Sequence, residues 1–543
     1  VIGRAALAAA FAAALMLPSV GQRVITSGDE ARFAVLAQDM LARGTWFEAR
    51  VREQPYRNKP LLYPWAIKVL SLPQGRVSQA TTQLPITLAA VAGVFFTALL
   101  GQQLFSPRAG LFAGLILATS YAYFAHSQIL LPDMLVVAFG LAAFCAFWLA
   151  WERGERERRE PPEARAGRRW PGSRSAALLL FYVALALGVA AKGPMGLLPL
   201  LVVILWLLTG EGWRGLRRLV SPLGVVAFAA LVAVWLVPFL FAGGRSFAHN
   251  VVWEDWLAWY LGRPDPADML NMLLEAMKGF TPWTVLLALP LLALRDQWRD
   301  GPFRLALLAC LVPVVAVMLG HNHRTRYLLP AYPAAALLVA WWADRHGTDR
   351  SRALVPVAVA VIAAVLVLLG VLALPWVDPA ERALVDGFAG KAALIVAGGL
   401  LLGAYAAWAL LARRPVALVV GTALITAVLL AGGLAVYTGW VNRGQDYPGL
   451  AARVERHARG GPVAITGGRF FSIDFYLGRS LTPVRTVTAF KAWLARPERP
   501  VNVVTGRAWS HMRGQLPDDV EVVDTVRVRK HIMFIVRGAG PAR

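Results

Sequence analysis

Charged residues are scarce in this chain: Asp, Glu, Lys and Arg supply 16% of its 543 residues, against 57% hydrophobic. Mean hydropathy is +0.54. A soluble globular chain is roughly a quarter charged and about half apolar, so the shortage excludes an ordinary cytosolic enzyme. Acids are scarcer than bases, 32 against 55, which leaves a net charge of +23. In a soluble chain that surplus would point to nucleic acid. No DNA- or RNA-binding motif accompanies it here, whereas membrane proteins load their cytoplasmic loops with Lys and Arg beside anionic headgroups. Membrane lipids, and no nucleic acid, are the expected partners. Cysteine is nearly missing: Cys145 and Cys310 both lie inside apolar runs, which excludes a disulfide framework or a thiolate metal site.

What the chain has in abundance is apolar runs of about 20 residues, long enough to cross a hydrocarbon core some 30 Å thick. They fall near 3–22, 82–104, 108–126, 134–151, 175–191, 193–209, 221–242, 281–295, 304–320, 326–343, 353–374, 391–412 and 415–438. This predicts an all-α polytopic membrane domain over 1–439 with about 13 transmembrane helices. The opening run, Ala5 to Pro18, lacks a convincing cleavage site and reads as a retained first span. Arginines crowd alternate loops: Arg153, Arg156, Arg158 and Arg159 in one; Arg214, Arg217 and Arg218; Arg295, Arg299 and Arg304; Arg345, Arg350 and Arg352; Arg413 and Arg414. The short loops between, such as 127–133, are almost free of them. That alternation puts the N-terminus inside and the C-terminus outside. After Trp440 short β-branched runs appear, "VAIT", "VNVVTG", "VEVVDTVRV" and "IMFIVRG", with helix-like stretches such as 488–496 between them. They predict a C-terminal α/β domain over 440–543, on the outer side of the membrane.

On this topology most conspicuous polar clusters share the outer face. The first loop, 23–81, opens on Gly28-Asp29-Glu30-Ala31-Arg32. Its acids suit a helix N-terminus, and two roles compete: simple favourable placement near the dipole, or chemistry. Phe33, Leu36, Ala37, Met40 and Leu41 would form one apolar face of a helix lying along the membrane surface. The same loop returns through Tyr56-Arg57-Asn58-Lys59-Pro60-Leu61-Leu62-Tyr63-Pro64-Trp65, a basic and aromatic patch. Acid and base on one loop fit a phosphorylated lipid. Lys192, between two apolar runs and just before Gly193-Pro194, belongs at the outer edge, either snorkelling or binding phosphate. Arg324 and Arg326 offer planar forks for phosphate or anchor a membrane edge. Trp253, Glu254 and Asp255 suit a sugar or an acceptor, or simply face water. His321 and His323 are a weak metal pair. No cofactor is required on this reading; a divalent cation is compatible with it.

The runs "GDEARFA", "MLARGTWF" and "RNKPLLYPW" together resemble the first outer loop of the bacterial protein O-mannosyltransferase-like family, with the aminoarabinose transferases of lipid A most alike in pattern. The likeness continues through "LLPDMLVVAF", "GVAAKGPMGLL", "FTPW" and "RYLLPAYP", in family order. It implies a GT-C membrane glycosyltransferase that takes a sugar from a polyprenyl phosphate carrier at the periplasmic face, with inversion at the anomeric carbon. Carried over position by position, Asp29, Glu30 and Asp133 become the candidate catalytic acids. Lys59, Lys192, Arg326 and Tyr327 become candidates for the donor phosphate, joined by Arg324, Arg32 and Tyr56 from the reading of the residues themselves. Asn58 stands where the aminoarabinose transferases commonly have Glu, and "WEDWLAWYLGRPDP" replaces their aromatic signature. The implied reaction passes 4-amino-4-deoxy-L-arabinose from undecaprenyl phosphate to lipid A, or another sugar to lipopolysaccharide core or protein hydroxyls. The rival class is a lipid or polyol transporter. That would place polar residues at mid-membrane on broken helices, whereas these cluster on one outer side.

Overall fold

Ser78, Ser106 and Ser173 each precede an apolar run, and each side chain accepts a hydrogen bond from an N–H in the first turn that follows. Side-chain capping therefore sets where these helices begin. The computed structural model describes residues 2–26, 28–52, 54–56, 59–159, 173–247, 265–320, 324–346, 383–385, 387–516, 520–529 and 531–538. Every predicted apolar block falls on helix except 353–374, which lies outside the described residues. This is a multi-pass membrane protein. Among the described residues eight helices are long and apolar enough to cross a membrane, or nine if a bent pair forms one span. Pro107–Ala118 is only 12 residues long, and Pro266–Gly279 meets Thr284–Leu292 at 104°. The Arg174–Leu219 stretch counts once, although Gly193 parts two helices within it. Pro222–Phe247 and Phe388–Leu411 turn large apolar side chains outward, among them Phe241, Val226, Leu394 and Leu401, as lipid-facing helices do.

Two helices organise the rest. Asp133–Arg159 and Arg174–Lys192 run antiparallel, since Asp133 pairs with Lys192 at one end while Gly154 packs on Arg174 at the other. At 1.5 Å per residue those ends lie about 30 Å apart. Phe147 packs edge to face on Trp206, ring centroids 5.7 Å apart, and at a tilt on Phe181, 6.0 Å apart.

The C-terminal region forms a five-stranded sheet. With β1 and β2 as the Arg50–Val51 and Gln54–Pro55 hairpin, its strands are β3 (Val463–Thr466), β4 (Thr482–Pro483), β5 (Val501–Thr505), β6 (Val520–Val528) and β7 (His531–Gly538). The order is β4-β3-β5-β7-β6; β3 runs parallel to β4 and β5, and β7 antiparallel to β5 and β6. All four β-branched runs noted above are strands, and the 488–496 stretch holds the helix Val487–Leu494. Strands β3 and β5 are buried throughout, as expected of parallel strands covered on both faces. Ile465, Val503 and Ile535 point to one core, Ala464, Val504 and Val536 to the other.

This sheet region packs on the first loop. The helix Gly28–Ala42 buries Phe33, Leu36, Ala37 and Met40 in the main helical core, as its apolar spacing predicts. Its other side is buried too: Ala31, Ala34 and Val35 cluster with Ile25, Leu130 and Phe475. The helix is therefore enclosed between membrane helices and sheet region rather than lying along a membrane surface. Arg52 reaches the Phe471–Leu477 helix and bonds both carboxylate oxygens of Asp474, at 3.1 and 2.8 Å, with both side chains buried. Tyr476 accepts from the Ile25 amide at 2.8 Å and from Gln79 Nε2 at 2.7 Å.

Candidate active site

Gly193 ends the Arg174–Lys192 helix at φ +69, a left-handed conformation that glycine adopts freely. The chain then turns through Gly193–Leu197, and a Cβ on Gly196 would fall on the backbone of Gly188 and Val189. Two small residues thus let the turn fold against the helix that precedes it. The result holds Lys192 against the first turn of the Asp133–Arg159 helix, where its ammonium pairs with Asp133. Both side chains are largely buried, 14% and 7% exposed. The same ammonium lies 4.3 Å from the ring centroid of Tyr327, and the Arg326 guanidinium lies 5.5 Å from that centroid. An ammonium has three donors, so a carboxylate partner leaves capacity for a second acceptor.

Asp29 occupies the first turn of the Gly28–Ala42 helix, half exposed, 3.2 Å from Arg32 and 3.9 Å from Arg324. Arg32 in turn sits 5.7 Å from the ring centroid of Tyr56. The segment Arg324–Tyr327 therefore joins two clusters: Arg324 reaches Asp29, while Tyr327, with Arg326 beside its ring, reaches Lys192 of the Asp133–Lys192 pair. Four stretches far apart in sequence meet here. The Nε atoms of Arg32 and Arg326 are buried, and neither has a hydrogen-bond acceptor among the described residues. Buried donors of that kind suit an anion with several oxygens.

Glu30, next to Asp29, has a different setting. It is buried, accepts 3.2 and 2.6 Å bonds from both terminal nitrogens of Arg23, and accepts the Leu130 amide at 3.2 Å. Arg23 also donates to the Gln128 carbonyl at 3.1 Å. Burial opposes the charge on Arg23, yet the adjacent Glu30 carboxylate leaves its pKa raised above the ordinary arginine value. This pair ties the first loop to the 127–133 loop and aims the helix that carries Asp29. Lys59 lies at the turn before the Leu62–Ser71 helix, half-buried. Another lysine of that loop, Lys68, is taken up structurally: its ammonium donates to the Thr45 carbonyl at 2.7 Å and lies over Trp46. Trp253, Glu254, Asp255, His321 and His323 lie outside the described residues. Among the described residues no three of His, Cys, Asp and Glu converge as a metal site.

A structure of ArnT from Cupriavidus metallidurans bound to undecaprenyl phosphate superposes with a TM-score of 0.79, at 20% identity, over 98% of this chain and 97% of that one. The chain has the GT-C fold of ArnT. Two curated relatives share the description undecaprenyl phosphate-alpha-4-amino-4-deoxy-L-arabinose arabinosyl transferase. The one from Erwinia tasmaniensis is 24% identical over 375 residues, covering 65% of this chain and 62% of the relative. The one from Edwardsiella ictaluri is 25% identical over 357 residues, covering 64% and 60%. The matches thus span about three fifths of these relatives' own length. A family model described as dolichyl-phosphate-mannose-protein mannosyltransferase matches residues 53–252. That range of the GT-C fold contains both Asp133 and Lys192.

Arg23, Arg52 and Asp474 were not singled out in the sequence. Arg23 lies seven residues before Glu30, a spacing with no helical meaning across the bend at 20–23. Arg52 and Asp474 are 422 residues apart, and nothing local marks either.

Proposed function

We propose that this chain transfers 4-amino-4-deoxy-L-arabinose from undecaprenyl phosphate to a phosphate of lipid A, at the periplasmic face of the bacterial inner membrane. The observation that carries the proposal is the Arg324–Tyr327 bridge, which gathers Asp29, Arg32, Asp133 and Lys192 at one end of the membrane helices. A transporter would need such groups at mid-membrane; these sit at helix ends. Similarity to relatives described as aminoarabinosyl transferases supplies the sugar and the carrier.

The lipid phosphate is the leaving group, so negative charge grows on its oxygens as the glycosidic bond breaks. Lys192, Arg326 and Lys59 stabilise that charge from fixed positions, which is electrostatic catalysis by pre-placed cations. Asp133 acts as a positioning residue that holds the Lys192 ammonium at the phosphate. Asp29, set between Arg32 and Arg324, orients the acceptor for attack from the opposite face of the sugar and inverts its anomeric carbon. A lipid A phosphate is already anionic near neutral pH, so orientation matters more than proton removal. If the acceptor is instead a protein hydroxyl, as the description of the matching family model favours, Asp29 also takes its proton.

Mass spectrometry of lipid A from cells with and without the gene tests this. The expected result is lipid A carrying the aminopentose on phosphate only when the gene is present. Unchanged lipid A in both would overturn the acceptor, and glycosylated protein in its place would select the second reading.

A further inference from the structure

The far end of the central helix pair holds a second charged feature, which the transfer reaction does not use. Arg158, Arg174, Arg214, Arg217 and Arg218 surround an open cavity of about 450 Å³, with Glu157 on its rim. It lies about 30 Å from Lys192 along the helices, the thickness of a hydrocarbon core. The cavity is built rather than incidental. Arg174 Nη2 donates to the Arg218 carbonyl at 2.6 Å, and Gly154 gives the Arg174 stem room beside it. Arg218 is fixed between Glu155 and Glu211, with its guanidinium stacked 3.8 Å from the Trp151 ring centroid. Among the described residues Glu155, Glu157 and Glu211 therefore stand against five arginines, which leaves the cradle a positive surplus. Arg214 and Arg217, both exposed, carry it.

The surroundings say what kind of anion this suits. Arg214, Arg217 and Arg218 belong to the short helix Gly212–Leu219, which also presents Trp213, 79% exposed, beside Val220, 65% exposed. A cationic helix with an outward tryptophan and apolar neighbours lies at the headgroup level of a bilayer. We propose that this arginine cradle is a binding site for the headgroup of an anionic phospholipid of the leaflet opposite the transfer site. Phosphate oxygens engage Arg174, Arg214 and Arg217, and the acyl chains lie along the exposed apolar residues of the Leu198–Glu211 and Pro222–Phe247 helices. A surplus of more than one charge favours a headgroup with two phosphates, such as cardiolipin, over phosphatidylglycerol. Basic pockets between membrane helices bind such headgroups in general.

Native mass spectrometry of the full chain in detergent tests the site, titrated with cardiolipin, phosphatidylglycerol and phosphatidylethanolamine. Wild-type protein should retain cardiolipin best and phosphatidylethanolamine least. Each arginine near an anionic headgroup is worth roughly a fivefold change, so Arg214→Gln with Arg217→Gln should weaken cardiolipin retention about 25-fold. Arg299→Gln, an arginine on another loop of the same side and outside the cradle, should leave retention unchanged. Equal loss in Arg299→Gln would reduce the effect to general surface attraction and overturn the site. Unchanged retention in the double variant would do the same. Displacement of the lipid by millimolar inorganic pyrophosphate would assign the cradle to a soluble phosphate and overturn the lipid reading.

Discussion

The two ends of the Asp133–Arg159 and Arg174–Lys192 helices both gather charge, and they handle it in opposite ways. At one end a single ammonium meets a single carboxylate and an aromatic face, all largely buried. At the other, arginines outnumber acids around an open cavity. Removing charge from water is costly unless a partner meets it, so a cation as enclosed as Lys192 needs close compensation. A solvated end tolerates surplus. The enclosed end is where small changes in compensation have large chemical effects, and the open end is where charge acts by attraction alone.

The sharpest way to break this contrast is at Asp29. Asp29→Asn keeps size and removes charge, so turnover should fall to background, with detergent stability unchanged because the side chain is half exposed. Near-normal product would show that Asp29 merely occupies a helix start. Next comes Lys192. Lys192→Met leaves a buried Asp133 carboxylate without its cation, which should cost about 3–5 kcal/mol of stability. Turnover should drop one to two orders of magnitude, the value of a hydrogen bond to a charged group being about 1.5–3 kcal/mol. Adding Asp133→Asn should restore thermal stability but not turnover. Recovery of both would make the pair structural only. Lys59→Ala should slow transfer from a defined polyprenyl-phosphate sugar and weaken competition by free undecaprenyl phosphate, at little cost in stability. Wild-type values for both would place the phosphate elsewhere. The last test decides which end faces out: a cysteine at exposed Ser510 should react with a membrane-impermeant thiol reagent in intact spheroplasts. Labelling only after lysis would reverse the orientation.

Much of this layout was legible beforehand, and the reasons differ by element. Long apolar runs announce helices because the bilayer demands length, so almost every block could be placed. Their count could not, since the 12-residue Pro107–Ala118 helix and the bend between Gly279 and Thr284 fall in apolar stretches without altering composition. Parallel strands β3 and β5 show as continuous apolar runs because both faces are covered. The Gly28–Ala42 helix revealed only one of its two buried faces. Its second is made of Ala31, Ala34 and Val35, residues too small to mark a stripe. The same applies to charge. Asp29, Lys192 and Arg326 stand out against apolar or aromatic neighbours, whereas Arg52 and Asp474 acquire meaning only once folding brings them together.

That last pairing also imposes an order in time. Arg52 sits at φ +51, a conformation costing a non-glycine residue about 1–2 kcal/mol, and its guanidinium is held by Asp474. Asp474 leaves the ribosome 422 residues later. At about 5–20 residues per second that delay is roughly 20 to 80 s. Throughout it the membrane helices insert while the helix bearing Asp29 has only one side covered. The first loop is closed by the late-made sheet region, so in a nascent chain already threaded through the bilayer that loop stays open until the region has folded against it.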